Sequence, residues 1–427
     1  NVFNAIIAKT ASGTAASVVA SSRQGQGAVY QALYVTERTY DKKTVNWVGT
    51  LHSLWIDEHG LIRQDTNGNK KLDDYQTDHV VKIYNDPGTR QARVCRYDSS
   101  DAETYVPIIL NAVADCEANS LPLEDLATLW SASDQLASLS QATITTQRTY
   151  TGNAANGRHI LTWVDKDIDG VVDGSEFVNF TPSGVGTTSN YGYLNSTSQA
   201  DADDIINYIR GEESASMRNR TIDFDGDGTE EVMLLGDIVN STPTSVSVPA
   251  EAFDQLYGDS SYADFRLQYA NRRQVIYVGA NDGMLHAFTG WKYDKASRAF
   301  KMPGSSGVTG GSYVGEQIGQ ELWAYIPRAL LPHLKWHPSS SYPHTYYVDL
   351  TPKIVDAKIF DRDTTWHIGD LSEAGGKGWG TVLIGGLGYG GKEIEVDFDL
   401  DGDEDSPPTT FPASYFAIDI TNPREPE

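Results

Sequence analysis

Val275-Ile276-Tyr277-Val278-Gly279-Ala280-Asn281-Asp282-Gly283-Met284-Leu285-His286-Ala287-Phe288 reads as two strand-length apolar runs around Asn281-Asp282-Gly283. Asn, Asp and Gly tolerate the positive φ that a tight hairpin turn demands, so two antiparallel strands are expected here. The same grammar recurs along the chain. Ala28–Val35, Trp47–Ile56, Ile160–Val164 and Val382–Ile384 are each strand-length and bounded by Gly, Asp or Asn. Val382-Leu383-Ile384-Gly385-Gly386-Leu387-Gly388 leads, past an acidic insertion, to Tyr415-Phe416-Ala417-Ile418-Asp419. Strand, glycine turn, strand ending in Asp is how a propeller blade reads, although the copies match only loosely.

Two segments break this pattern. Leu123 to Leu139 and Asp203 to Arg210 carry apolar residues at helical spacing, and Gly211 is placed to end the second. Residues 1–427 are therefore read as one all-β domain with helical insertions near 121–140 and 201–211. With 39 Gly and 17 Pro in 427 residues, frequent turns suit many short strands. No run approaches the 18 apolar residues a membrane helix needs.

The formal charge is -25, from 58 acidic against 33 basic residues. Such a field repels a phosphate backbone, which excludes nucleic acid as a natural partner. Much of the acid excess lies in short Asp/Asn/Gly stretches. Asp165-Lys166-Asp167-Ile168-Asp169-Gly170-Val171-Val172-Asp173-Gly174-Ser175-Glu176 is the clearest. Counted from Asp165, carboxylates stand at 1, 3, 5, 9 and 12, with Gly170 at the turn. Calcium takes six to eight hard oxygens; Asp165, Asp167, Asp169, the Val171 carbonyl, Asp173 and a bidentate Glu176 supply them. Two carboxylates about 5 Å apart repel by roughly 3 kcal/mol at a dielectric near 20, so the loop calls for a cation. Ile160–Val164 before it reads as strand, not as the incoming helix of a sensor, so the ion is expected to fasten rather than switch.

Three relatives follow the same logic. One offers Asp65, Asn67, Asn69, the Lys71 carbonyl and Asp73, with Lys70 where Gly is expected. A second offers Asp223, Asp225, Asp227 and Glu231. The third offers Asp397, Asp399, Asp401, Asp403 and Asp405, with Pro408 at the closing position. The alternative for each is a solvated acidic turn.

Catalytic signatures are weak. His333, His337 and His344 lack HExxH spacing or a cysteine partner, and hydrogen-bonded loop histidines are the plainer reading. Gly385–Gly391 lacks the Lys-Ser/Thr of a phosphate loop. Cys95 and Cys116 form a lone pair, expected to bridge if the chain is exported.

The order of motifs resembles the PilC/PilY proteins of bacterial type IV pili. Leu235-Gly236-Asp237-Ile238-Val239-Asn240-Ser241-Thr242-Pro243 comes first, then Tyr277 to Phe288, Gly319-Gln320-Glu321-Leu322-Trp323-Ala324-Tyr325-Ile326-Pro327, Tyr346-Tyr347-Val348-Asp349, Leu383 to Gly388 and Ala417-Ile418-Asp419-Ile420-Thr421-Asn422-Pro423. The resemblance implies a modified seven-bladed β-propeller that binds Ca²⁺. It also implies export through the periplasm and outer membrane to the pilus tip, and roles in pilus biogenesis, surface adhesion and twitching motility. Expected partners are minor pilins, a host or abiotic surface, and a second polypeptide completing a ring whose later blades are missing here. Two alternatives are a structural module of a larger surface assembly and a quinoprotein-like propeller dehydrogenase. The second has no adjacent Cys-Cys pair to support it. Arg210-Gly211-Glu212 is not an integrin motif.

Overall fold

The hairpin at the centre of the sequence is the centre of the structure. In this computed structural model, Gln274–Gly279 pairs antiparallel with Leu285–Asp294, Gly279 lying opposite Leu285. Gly283 closes the turn at φ 96°, a conformation that costs a glycine little. The structure describes residues 27–85, 92–97, 120–150, 157–165, 172, 176–185, 191–224, 226–304, 307–360, 378–397 and 409–427.

Alternate side chains of the first strand enter different cores. Val275 and Tyr277 join one large apolar cluster with Leu322, Trp323, Leu330 and Leu383. Ile276 and Val278 join another with Leu51, Trp55, Trp130 and Phe288. Successive strand residues point to opposite faces, so a sheet covered on both sides must read as a continuous apolar run. Each such side chain, fully buried, contributes roughly 1.5–3 kcal/mol.

Around this hairpin Thr244–Val246, Gln274–Gly279, Leu285–Asp294 and Glu321–Tyr325 form a four-stranded antiparallel meander. Its last strand runs parallel to Ile160–Trp163, which pairs with Phe177–Asn179. A second sheet is built on the long ribbon Gly27–Tyr40 with Lys43–Ile56. A third joins Lys353–Phe360, Gly378–Gly386 and Tyr415–Asp419, so the Val382 run does meet the Tyr415 run. Two further strand pairs complete the set, giving five hydrogen-bonded sheets among the described residues. The all-β class holds.

The helical expectations divide. Gln199–Arg210 is a helix, capped by Ser198 at its start and stopped by Gly211 at φ 124°. Leu123 to Leu139 is not one helix. It makes a 3-10 turn at Leu123–Asp125, a strand at Trp130–Ser131 and a helix only over Ala132–Ala137. Ser131 and Trp130 pair with His52 and Ser53, and Trp130 fills the core, so tertiary pairing overrides the helical spacing. Phe253–Leu256 and Ser260–Gln268 add two helices that periodicity did not reveal. Among the described residues no helix is long and apolar enough to cross a membrane.

Candidate functional site

Four of the motifs quoted from the second half, those carrying Asp237, Asp282, Glu321 and Tyr347, converge on one buried polar centre. Leu235-Gly236-Asp237 threads between the N-terminal ribbon and the Asn281-Asp282 turn: Val48 bridges to Gly236, and the Gly236 N–H donates to Asp282 Oδ2 at 2.9 Å. A Cβ on Gly236 would stand 2.4 Å from the Asp282 nitrogen, so only glycine fits. Asp237 Oδ2 accepts from Asn281 Nδ2 at 2.7 Å and lies 2.8 Å from His344 Nε2. Asn281 Oδ1 in turn accepts from the Tyr347 N–H at 3.0 Å. The turn thus ties three separate segments together.

His286 sits behind it, wholly buried between two carboxylates. Its Nε2 is 3.1 Å from both Asp282 oxygens and its Nδ1 2.8 Å from Glu321 Oε1. Glu321 also accepts from Arg158 Nε at 2.9 Å and Nη2 at 2.7 Å, with Arg158 fully buried. Burial alone would lower the histidine pKa, but Asp282 and Glu321 overcome it and push it up to about 9. At neutral pH His286 is an imidazolium donating at both nitrogens. Burial opposes the charge on Glu321 too, yet Arg158 and His286 hold its carboxyl well below the usual range. Among the described residues these four side chains form one continuous run of ion pairs.

The acidic loops present four situations. Asp165 and Glu176 are buried at 3% and 2% exposure, at the base of the Ile160–Trp163 hairpin. The Val164 N–H donates to the Glu176 carbonyl, the Tyr193 hydroxyl donates to the Asp165 carbonyl, and Arg328 Nη2 stands 3.5 Å from Asp165 Oδ2. The first and last proposed ligands are thus held side by side. Asp167, Asp169, Val171 and Asp173 lie outside the described residues.

The loop from Asp65 to Asp73 is described throughout. Asp73 Oδ2 accepts from the Asn67 and Asn69 amides at 2.8 and 2.7 Å, while Asn69 Oδ1 accepts from the Lys71 N–H. Lys70, where glycine was expected, adopts φ 61°, and its Nζ lies 3.4 Å from Asp65 Oδ2. Asp65 Oδ1 is buried and has no partner among the described residues. Burial raises the Asp65 pKa against the pull of Lys70. A hard cation is the group such an orphaned oxygen fits.

In the third loop Asp223 accepts from the Gly226 and Gly228 N–H groups, and Glu231 from the Phe224 N–H. Asp227 accepts from Thr229; Asp225 lies outside the described residues. Of the fourth, Asp397 is described and half-buried, while Asp399, Asp401, Asp403 and Asp405 lie outside. Among the described residues no three His, Cys, Asp or Glu side chains are grouped as a metal site.

The three clustered histidines have separate roles. His337 stacks between Tyr342 and Tyr347, His344 stacks on Trp47 at 3.7 Å, and His333 lies against Trp336. Gly390 is glycine because the Tyr347 carbonyl passes where its Cβ would be. Cys95 is disulfide-bonded; Cys116 lies outside the described residues. Arg210 is wholly buried and donates to the Thr145, Thr146, Arg158 and Phe180 carbonyls and to Gln147, so it clamps the core. Sequence reasoning missed Arg158, Arg210 and His286 as charges inside the core. Only their position within or beside apolar runs could have flagged them.

The chain is similar to proteins named type IV pilus biogenesis factor PilY1. It is 32% identical over 224 residues to a PilY1 homolog of Xylella fastidiosa, covering 51% of this chain and 13% of that one. With PilY1 of Pseudomonas aeruginosa strain UCBPP-PA14 it shares 28% over 225 residues, again 51% of this chain and 13% of the other. With PilY1 of strain PAO1 it shares 24% over 327 residues, 73% of this chain and 20% of the other. The chain therefore spans between an eighth and a fifth of the length of these relatives. No family model and no solved structure matches it.

Proposed function

We propose that this PilY1-like chain is a calcium-fastened β-propeller portion of a type IV pilus biogenesis factor, working by assembly and attachment rather than by catalysis. The observation that carries the reading is the likeness to curated PilY1 proteins over half to three-quarters of the chain. The four-stranded antiparallel meander supports a blade, and three-stranded Lys353–Phe360/Gly378–Gly386/Tyr415–Asp419 supports a second. In this reading the seven-bladed ring is completed by further sequence or a second polypeptide. Its partners are minor pilins and a host or abiotic surface, its place the pilus tip outside the cell, and its output adhesion and twitching motility.

Calcium is the proposed cofactor, held by the 165–176 loop and the loops beginning at Asp65, Asp223 and Asp397. Two observations support it: the orphaned, buried Asp65 Oδ1 and the adjacent burial of Asp165 and Glu176. Lys70 stands against Asp65 and must yield when an ion binds there. Extracellular calcium modules bind at about 10⁻⁴ to 10⁻³ M, so melting is followed from chelator to about 10 mM calcium. Tenfold excess over the dissociation constant stabilises by about 1.4 kcal/mol per site. Identical melting in chelator and calcium refutes the fastener. Deleting this region from the parent gene should reduce surface pili; unchanged piliation and twitching refute the biogenesis role.

A further inference from the structure

Beside the Leu235–Asp237 segment lies a cavity of about 20 Å³, lined by Trp47, Arg218, Gly236, Asp237, His337 and Tyr342 among others. That is room for one or two waters, or for the two oxygens of a carboxylate. Its wall presents unused hydrogen-bonding groups. Arg218 packs its guanidinium over the Tyr342 ring at 4.2 Å, and its Nε and Nη1 are shielded from solvent with no partner among the described residues. Among the described residues no carboxylate stands within ion-pair distance of it. His337, at 3% exposure, has an equally unpartnered Nε2.

The carboxylates on the same wall are already engaged. Asp237 Oδ2 meets Asn281 and His344, and Asp282 meets His286 and the Gly236 N–H. Burial, then Arg218, lowers the His337 pKa to about 3, so its ring is neutral and does not compete with Arg218 for an anion. Arg218 is half-buried as a residue, but leaving its Nε and Nη1 shielded from water without an acceptor is costly. Water fills hydrogen bonds but brings no charge. The missing group is a small anion that accepts from several donors, and the volume favours a planar carboxylate over a tetrahedral phosphate or sulfate.

We propose that this cavity is a receptor for a carboxylate group, which enters beside the half-buried Trp47 ring and accepts hydrogen bonds from Arg218, with His337 Nε2 donating in the tautomer that carries its proton there. The proposal stands apart from the calcium loops and from pilus assembly. Its ligand class is a small carboxylic acid, and acetate is the probe.

Acetate is titrated calorimetrically into the full chain at fixed ionic strength, with chloride and sulfate as comparators, to about 50 mM because fragments this small bind in the millimolar range. Saturable acetate binding is expected, with no matching response to the comparators. Arg218→Gln should weaken it about tenfold or more, the loss expected for a charge-assisted contact, and Arg218→Lys should fall between. Should Arg218→Gln melt before acetate is added, His337→Gln carries the same comparison. Absence of saturable binding in the wild type, an equal response to chloride, or unaltered affinity in Arg218→Gln leaves only water in the cavity and overturns the proposal.

Discussion

Replacing Glu321 by Gln removes one negative charge from the middle of the molecule and changes almost no volume. The carboxylate is 1% exposed and holds two buried cations, Arg158 through two hydrogen bonds of 2.9 and 2.7 Å and His286 through one of 2.8 Å. A glutamine offers one acceptor and points an amide donor at a group that is itself only a donor. Breaking a buried pair from one side costs about 3–5 kcal/mol, because the other charge stays buried and uncompensated. Native stabilities are about 5–15 kcal/mol, so Glu321→Gln should lose a large share of the total. The assay is urea unfolding followed by tryptophan fluorescence and far-ultraviolet circular dichroism together. Arg158→Met in the same chain removes the stranded guanidinium. The double variant should therefore be more stable than the sum of the singles, by about 1–3 kcal/mol of coupling. If Glu321→Gln unfolds within about 0.5 kcal/mol of wild type, or the two changes add, the buried ion pairs do not hold the fold together.

The same centre sets a pH dependence. Because the folded pKa of His286 is raised to about 9 from the usual 6.5, its contribution is complete below pH 6.5 and is lost as pH rises through 9. Wild type minus His286→Gln should lose on the order of 3 kcal/mol across that window, and a flat difference refutes the assignment. Gly236→Ala should destabilise by about 1–3 kcal/mol, since its Cβ would lie 2.4 Å from the Asp282 nitrogen; unchanged melting would show that the turn can move aside. Asp65→Asn should lower the calcium response while leaving melting in chelator the same or higher, because it relieves a buried carboxylate; a lower chelator melting point would mark Asp65 as structural.

What the sequence made legible was local. The Asn281-Asp282-Gly283 turn and the strand character of Val382–Ile384 and Tyr415–Asp419 depend on near neighbours, and the structure has them. What stayed hidden depends on partners far along the chain. Trp130–Ser131 is a strand because Ser53 and His52 lie opposite, and no helical count could show that. His286 looks from sequence like one polar residue in an apolar strand. Its charge is fixed by Asp282, four residues away, and by Glu321, thirty-five residues away, whose strand runs parallel to Ile160–Trp163 and begins beside Arg158. The turn residues therefore serve twice. Asn281 and Asp282 satisfy the local geometry of a hairpin, and their side chains then tie Asp237, Tyr347 and His286 to it. A generic Asn-Gly turn would close the hairpin equally well but leave His286 without one of its two carboxylates. The specific triplet at 281–283 thus follows from the buried charge behind it, which links the motif that decides the fold to the ionic centre that should decide its stability.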